Sequence, residues 1–442
     1  MSVTILGREE DDPVSARLAQ IGVEFDSGIK LETIRIEEAL DRLGRPQDRC
    51  GPVIHVAGTN GKGSTCAYLR GIAEASGLEA HIFTSPHLVR PNERIRVSGK
   101  LVSDEAFLAA LDKLEKTGVQ LTFFESVTAA AFILFAERPA DLVVMEVGLG
   151  GRLDGTNVFT RPAATVITPI DMDHSHILGE TRALIAGEKA GIMKRGSPAV
   201  IARQPEDAEE VLVKRALTIG APLLRRGVEW DSYEQRGRLI VQTEDRLLDL
   251  DAPSLFGPHQ FDNAALAVRA ALELNDPRIT EESLSRGIAS TKWPARMQRL
   301  TKGMLADPVV KAGGELWLDG GHNAHAGRAL AQALDALQAR APRSTIIVAG
   351  MLANKDSGGF LEPLASRADG LVAVPVHGSR SSREPEELAQ EARSFQMKAR
   401  AAGSLPEAME IACSMQNAPR ILICGSLYLA GEALALSDAL PD

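Results

Sequence analysis

The sequence predicts an α/β protein of two domains, each built on a mainly parallel sheet. Three observations lead there: strand-like segments that are apolar throughout rather than alternating, helix-like segments between them, and a basic, proline-containing stretch that separates two such series. The first series is "PVIHVAG" (52–58), "DLVVMEVG" (141–148), "AATVITPI" (163–170) and "PAVIAR" (198–203). Segments of this kind suit a sheet covered by helices on both faces. The second series is "ELWLDGG" (315–321), "STIIVAGM" (344–351), "GLVAVPV" (370–376) and "RILICGS" (420–426). Between them "STKWPARMQRL" (290–300) reads as a hinge, dividing the chain into domains 1–295 and 296–442.

Composition bounds the function classes. The chain has 442 residues with 44% hydrophobic and 24% charged content, ordinary for a globular protein with a sizeable core. Its start, "MSVTILGREEDD", carries neither a basic n-region nor an apolar h-region, and the markedly apolar run "VTAAAFILFA" (127–136) is about half a membrane span, so neither export nor membrane insertion is expected. Cys50, Cys66, Cys413 and Cys424 form no CxxC pair, which fits a reducing cytoplasm and gives no zinc pattern. A net charge of -10 disfavours wholesale nucleic-acid binding. Anionic substrates would need local positive charge, and Arg90, Arg94 and Arg96 supply such a cluster, although a solvated basic edge strand would look the same.

The turn after the first strand, "GTNGKGS" (58–64), carries the most chemistry. It departs from the eight-residue Walker spacing because only two residues separate Gly58 from the Gly61–Lys62 pair. A glycine-rich turn after a buried strand can serve packing alone. Here Gly58, Gly61 and Gly63 allow the backbone amides to face one concavity, and the following helix aims its positive end at it. The turn therefore reads as a phosphate cradle, with Lys62 at the β- and γ-phosphates and Ser64 or Thr65 near a magnesium ion. Glu146, ending a strand expected beside this turn, suits that hard ion, or is a capping or salt-bridged glutamate.

"HVAGTNGKGS" (55–64) followed by "TSPHLVRPNERIRVSG" (84–99) resembles the folylpolyglutamate synthase and dihydrofolate synthase family, a branch of the Mur-type ATP-dependent amide ligases. Gly63 stands where the other Mur enzymes read threonine, which favours the folate branch. Further matches follow in order: "LTFFE" (121–125), "EVGLGGRLDGTN" (146–157), "DMDH" (171–174), "GEKAGIMK" (187–194), "FDNAALA" (261–267), "WPARMQ" (293–298) and "DGGHNAHA" (319–326). The resemblance implies a P-loop-type ATPase domain that also binds pterin, followed by a smaller Rossmann-like glutamate ligase domain.

The resemblance implies a role for each matching position. Gly58, Thr59, Asn60, Gly61, Lys62, Gly63, Ser64 and Thr65 would bind ATP, with Asn263, Arg296 and Asp319 completing a nucleotide site between the domains. Ser85, Glu146 and His174 would hold magnesium, and Lys189, carbamylated, a second magnesium. Read alone, His174 is a loop histidine satisfied by neighbours and Lys189 a solvated helix lysine; only the resemblance moves them to the site. A carbamate needs a neutral amine, hence burial that lowers the lysine pKa. Stimulation by K+ is also implied.

Dihydropteroate would be held by Asp26, Ser27, Gly28 and Ile29, by Thr84, by Thr122, Phe123, Phe124 and Glu125, and by Leu153, Asp154 and Gly155. Either phenylalanine could equally be core packing, and Asn263 a helix cap. "DGGHNAHA" departs from the family's Asp-x-Ala-His-Asn-Pro at Gly321 and Ala324, which predicts a looser turn; His322 or a carboxylate is the candidate for assisting deprotonation of the amine, and Asp319 with His322 could instead form a local turn network.

The implied reaction is ATP-driven amide formation. L-Glutamate is added to dihydropteroate, giving dihydrofolate, and to reduced folates. "GGRLDGTN" (150–157) resembles the loop of bacterial members with both activities. A peptidoglycan-precursor ligase would need a nucleotide-sugar domain, and a degenerate scaffold should have lost Lys62, Glu146 or Lys189. A cytoplasmic monomer acting on small molecules is expected.

Overall fold

A computed structural model describes residues 12–22, 31–377, 381–437 and 439–440. These form two compact units, one of Asp12–Ser254 with Gln260–Lys292, the other including Leu255–His259 and Trp293–Asp442.

Among the described residues, the larger unit holds an eight-stranded sheet. Its strands are β1 (Val53–Ala57), β2 (Ala80–Phe83), β3 (Ile95–Val97), β4 (Lys100–Leu101), β5 (Leu142–Glu146), β6 (Ala164–Ile167), β7 (Ala199–Ile201) and β8 (Leu223–Arg225). Their spatial order is β4-β3-β2-β5-β1-β6-β7-β8. Pairing is parallel except at β2–β3 and β3–β4. Strand β1 is thus central, and every residue of β1, β5 and β6 is buried, which is why those segments read as unbroken apolar runs. The apolar run 127–136 lies within the helix Phe123–Glu137, whose Phe132 and Phe135 sit in the core beside Phe107 and Met145. No helix among the described residues is long and apolar enough to cross a membrane.

A small antiparallel sheet follows, of β9 (Asp231–Gln235), β10 (Arg238–Gln242) and β11 (Leu247–Leu250) in the order β11-β10-β9. In the other unit β12 (Gln298–Leu300), β13 (Glu315–Leu318), β14 (Thr345–Ala349), β15 (Gly370–Ala373), β16 (Ala399–Ala401) and β17 (Arg420–Cys424) are ordered β12-β13-β17-β14-β15-β16, parallel apart from β12. Helices between its parallel strands supply Leu334, Phe360, Leu361 and Leu388 to its core.

Candidate active site

The register of the central strands builds the site in the larger unit. Val56 of β1 lies opposite Glu146 of β5, so the carboxylate that ends β5 stands beside the turn that leaves β1. The turn itself is fixed by close packing. Gly58 has φ +147°, and a Cβ there would lie 1.8 Å from Thr168 Oγ1; Gly61 has φ +91°, and a Cβ there would lie 2.4 Å from Asn263 Oδ1. Both positions demand glycine, for conformation and for room.

Not every amide of the turn faces a ligand. The Thr59 and Asn60 N–H groups donate to Pro169 O at 3.0 and 3.4 Å, and Thr59 Oγ1 donates to Asp171 O at 3.0 Å. These bonds tie the turn to the segment after β6. The helix Lys62–Ala75 then starts at Gly61, which has no side chain to cap it, and its first internal bond joins Thr65 N to Gly61 O at 2.9 Å. The amides of Lys62, Gly63 and Ser64 therefore lack intrahelical acceptors at the positive end of the helix, where an anion is favoured.

Two lysines converge on one carbonyl. Lys62 Nζ donates to Gly58 O at 3.2 Å and to Thr59 O at 3.3 Å, and Lys189 Nζ donates to Gly58 O at 2.7 Å. Lys189, at the end of the helix Arg182–Lys189, is buried rather than solvated. Burial first, then the Lys62 charge, lower its pKa from 10.5 to about 7 against the opposing pull of Asp173 and Asp154. This burial is the condition that carbamate chemistry requires.

Ser85 and Glu146 are also brought together, through the Ser85 N–H that donates to Glu146 Oε2 at 3.1 Å. His174 has left-handed backbone (φ 51°) at the start of a short helix, with its Nε2 3.8 Å from Asp173 Oδ1 and its side chain 40% exposed. Among the described residues no three His, Cys, Asp or Glu side chains gather as a metal-holding group. Magnesium does not require such a cage: one or two carboxylates with substrate phosphates and waters suffice, and buried Glu146 beside the turn fits that need.

Asn263 is not a helix cap. It lies inside the helix His259–Leu272, buried, with Nδ2 donating to Gln260 Oε1 at 3.1 Å, while Gln260 Nε2 reaches Ser64 Oγ at 3.4 Å. Gln260, absent from the sequence candidates, braces the first turn of the phosphate helix. Its spacing of three from Asn263 on one helix face is the signal that could have found it. Thr168, which closes on Gly58, carries no such signal.

The expected pterin segments fall around the same carboxyl end of β5, on the side of β2. Thr122 and Glu125 form a capping box: Thr122 Oγ1 accepts from Glu125 N at 3.3 Å and Thr122 N donates to Glu125 Oε2 at 2.8 Å. Glu125 also pairs with Arg35 at 3.1 Å. Phe124 rests on Gly148, where a Cβ would lie 2.4 Å from its Cζ, and meets Phe83 edge-on with ring centres 6.0 Å apart. Phe123 faces the buried Arg94 guanidinium at 5.4 Å. Thr84 is buried, with its N–H on Arg94 O at 3.0 Å. Leu153 and Gly155 flank Asp154, whose carboxylate is buried and turned into its own loop, accepting from Leu149 N, Thr156 N and Thr156 Oγ1 at 2.8, 3.0 and 2.5 Å. Asp26, Ser27, Gly28 and Ile29 lie outside the described residues.

The arginine cluster divides. Arg90 pairs with Asp12 and Asp104 at 2.7 and 2.8 Å, Arg94 is buried with Nε donating to His87 Nδ1 at 2.8 Å, and Arg96 sits on β3 between β2 and β4. A solvated basic edge does not describe it.

In the other unit, Asp319 organises a closed turn. Its Oδ2 accepts from Met297 N at 2.8 Å and its Oδ1 from Gly321 N at 2.7 Å, with Arg296 nearby offsetting part of the burial that raises its pKa. His322 Nδ1 meets Gly320 O at 3.0 Å, and Asn323 caps the helix Ala324–Arg340. The local turn network is therefore present. The turn is also tight rather than loose, since a Cβ at Gly321 would lie 2.9 Å from Ala326 Cβ. Arg296 is flanked by Ala295 and Met297 with φ of 52° and 40°, a strain of order 1–3 kcal/mol per residue that sequence reasoning missed.

A turn with uncapped amides, two converging lysines and a buried carboxylate suits a polyphosphate with its metal, and the class this fold and site point to is the Mur-type ATP-dependent ligase. A Mur ligase middle domain model matches residues 56–271, and a dihydrofolate synthetase C-terminal domain model matches 302–436. The chain belongs to the dihydrofolate synthase/folylpolyglutamate synthase family. It is 34% identical to the dihydrofolate synthase/folylpolyglutamate synthase of Escherichia coli, over 92% of this chain and 93% of that protein. To the folylpolyglutamate synthase of Lacticaseibacillus casei it is likewise 34% identical, over 90% and 92%. The solved structure of E. coli FolC in complex with DHPP and ADP superposes with a TM-score of 0.86 at 32% identity, covering 97% of this chain and 98% of that one. The Yersinia pestis bifunctional folylpolyglutamate synthase/dihydrofolate synthase complexed with AMPPNP and Mn superposes with a TM-score of 0.84 at 31% identity, covering 96% and 97%.

Proposed function

We infer that the chain is an ATP-dependent ligase that joins L-glutamate to dihydropteroate, forming dihydrofolate, and to the glutamate tail of reduced folates. The observation that carries this is the convergence of Lys62 and Lys189 on Gly58 O beside the uncapped helix start. A carboxylate is a poor acyl donor because its leaving group would be oxide. Moving the γ-phosphoryl group of ATP onto the substrate carboxylate makes an acyl phosphate; the α-amine of glutamate attacks that carbonyl, and phosphate leaves. Such chemistry rests on positioning and charge neutralisation, and the site has amides and cations rather than a nucleophile with a base.

In this reading Lys62 and the amides of residues 62–64 hold the transferring phosphoryl group, and Gly58, Thr59, Asn60, Gly61 and Thr65 shape the turn around it. Asn263, Arg296 and Asp319 are the remaining ATP-binding positions. Ser85, Glu146 and His174 hold magnesium, whose charge offsets that of the phosphate oxygens. Lys189, buried and with its pKa lowered, is the carbamylation site and supplies an anionic ligand for a second magnesium; K+ stimulates. Phe123, Phe124, Thr84, Thr122 and the 153–155 loop hold the pterin. His322 assists loss of the amine proton. Residues 1–295 supply ATP and pterin binding and 296–442 the glutamate ligase domain, in a cytoplasmic monomer.

Bound ligands of the relatives support the assignment: DHPP and ADP in the E. coli enzyme, and Mn, AMPPNP and L-glutamate in a bifunctional relative. The test is ADP release with dihydropteroate, with a reduced monoglutamyl folate and with a UDP-muramoyl peptide, each with and without L-glutamate. Glutamate-dependent release is expected with the first two. Release with the muramoyl peptide alone would overturn the reading, and release with the folate alone would reduce it to tail extension.

A further inference from the structure

We propose that His55 is a positioning residue for the pterin-binding loop, acting through Thr156 on Asp154. The proposal rests on the reading that Phe124 and residues 153–155 hold the pterin. Strand β1 reads Val-Ile-His-Val-Ala, and His55 is a fully buried polar side chain in the middle of an apolar sheet. Such a group is costly unless it is hydrogen-bonded. Its Nε2 lies 2.8 Å from Thr156 Oγ1, and that hydroxyl lies 2.5 Å from Asp154 Oδ1.

A hydroxyl has one proton to give. The short contact to the carboxylate takes it, so the hydroxyl oxygen accepts from His55, which must carry its proton on Nε2. Burial and the Lys194 charge push the imidazole pKa down to about 3, so His55 stays neutral and acts as a fixed donor. Thr156 N and Leu149 N close the rest of the Asp154 carboxylate at 3.0 and 2.8 Å.

The loop so closed shapes the aromatic wall. Phe124 lies against Gly148, and a Cβ added at Gly155 would sit 3.6 Å from its ring. The strand that presents the phosphate turn at Gly58 thus also fixes, through His55, the loop on which Phe124 rests. An apolar side chain at 55 could pack in the core but could not hold Thr156 in this rotamer.

The experiment compares Thr156→Val, which keeps the shape and loses the hydroxyl, with Thr156→Ser, which keeps the hydroxyl. Thr156→Val is expected to raise the KM of dihydropteroate and of reduced folate about tenfold, the scale of a lost buried hydrogen bond, while the KM of ATP stays within about twofold. Thr156→Ser should restore wild-type values. Unchanged pterin KM in folded Thr156→Val, or pterin and ATP KM rising together with a lower Tm, overturns the positioning role. His55→Asn, whose amide is too short to reach Thr156, tests His55 itself: the same rise in pterin KM with ATP KM unchanged is expected, and unchanged pterin KM in that folded variant overturns the positioning role even if Thr156→Val does not fold. Phe124→Leu separates the two layers. No change of pterin KM in that variant removes the underlying reading and the proposal with it, whereas a change there without one in Thr156→Val overturns the positioning role alone.

Discussion

At the scale of the residue, the turn 58–64 gathers Lys62 and Lys189 where the chain as a whole is acidic. Lys62 donates to the Gly58 and Thr59 carbonyls, which holds it over the turn. Lys62→Ala should lower turnover by roughly two orders of magnitude or more, as the loss of other electrostatic stabilisers does, with an unchanged Tm. Wild-type turnover in the folded variant would return the turn to a packing role. Lys189 gives a sign that stability measurements can read. Its folded pKa of about 7 lies below its ordinary 10.5, so between those values the unfolded chain binds more protons than the folded one. The cost of burying Lys189 is full below pH 7 and is relieved as pH rises toward 10.5. In carbon dioxide-free buffer the Tm of wild type relative to Lys189→Met should therefore rise across that window; a flat difference would show that Lys189 titrates normally. The glycines and lysines were legible in the sequence because their chemistry is local. The burial of Lys189, the fit of Thr168 against Gly58 and the Asp319 bonds to Met297 and Gly321 were not, because each depends on contacts between segments far apart in the chain or on loop geometry.

At the scale of the element, unbroken apolar runs located the parallel strands well. Each of the quoted runs contains a strand, from Val53–Ala57 to Arg420–Cys424. Outside those runs lie β2, a buried run of four residues interrupted by His81, and strands with a different burial. The strand Asp231–Gln235 has exposed residues along most of its length, and Lys100–Leu101 is an edge of two residues. Antiparallel and edge strands need no continuous apolar run, so a search for such runs passes over them. The same distinction governs Thr122, which sequence assigned to substrate and the fold uses as the cap of the helix Phe123–Glu137. Thr122→Ala should destabilise the protein by about 1 kcal/mol, and Thr122→Ser should not. Equal Tm values for the alanine and serine variants would show that the capping oxygen contributes nothing.

At the scale of the whole molecule, the proposed substrates make unequal demands on the turn. Dihydropteroate reacts at a carboxylate on its benzoyl group, and a folate reacts at the γ-carboxylate of a glutamyl residue further from the ring. A phosphate turn held as rigidly as Gly58 and Gly61 require cannot meet both carboxylates with the pterin in one fixed place. The ring must shift, or each substrate must use its own pocket. Groups at the turn should therefore serve both substrates alike, and groups along the pterin path should tell them apart. Lys62→Ala is expected to lower the two turnovers by the same factor. Thr122→Ala is expected to raise the KM of dihydropteroate more than that of reduced folate, a loss of binding specific to one ring position. Thr122→Ser, which keeps the hydroxyl, should restore Tm and both KM values; a general loss of helix stability would raise the two KM values of Thr122→Ala alike. Equal KM changes for the two substrates in Thr122→Ala would place both rings in the same contacts, and the difference in carboxylate reach would then have to be met elsewhere in the chain.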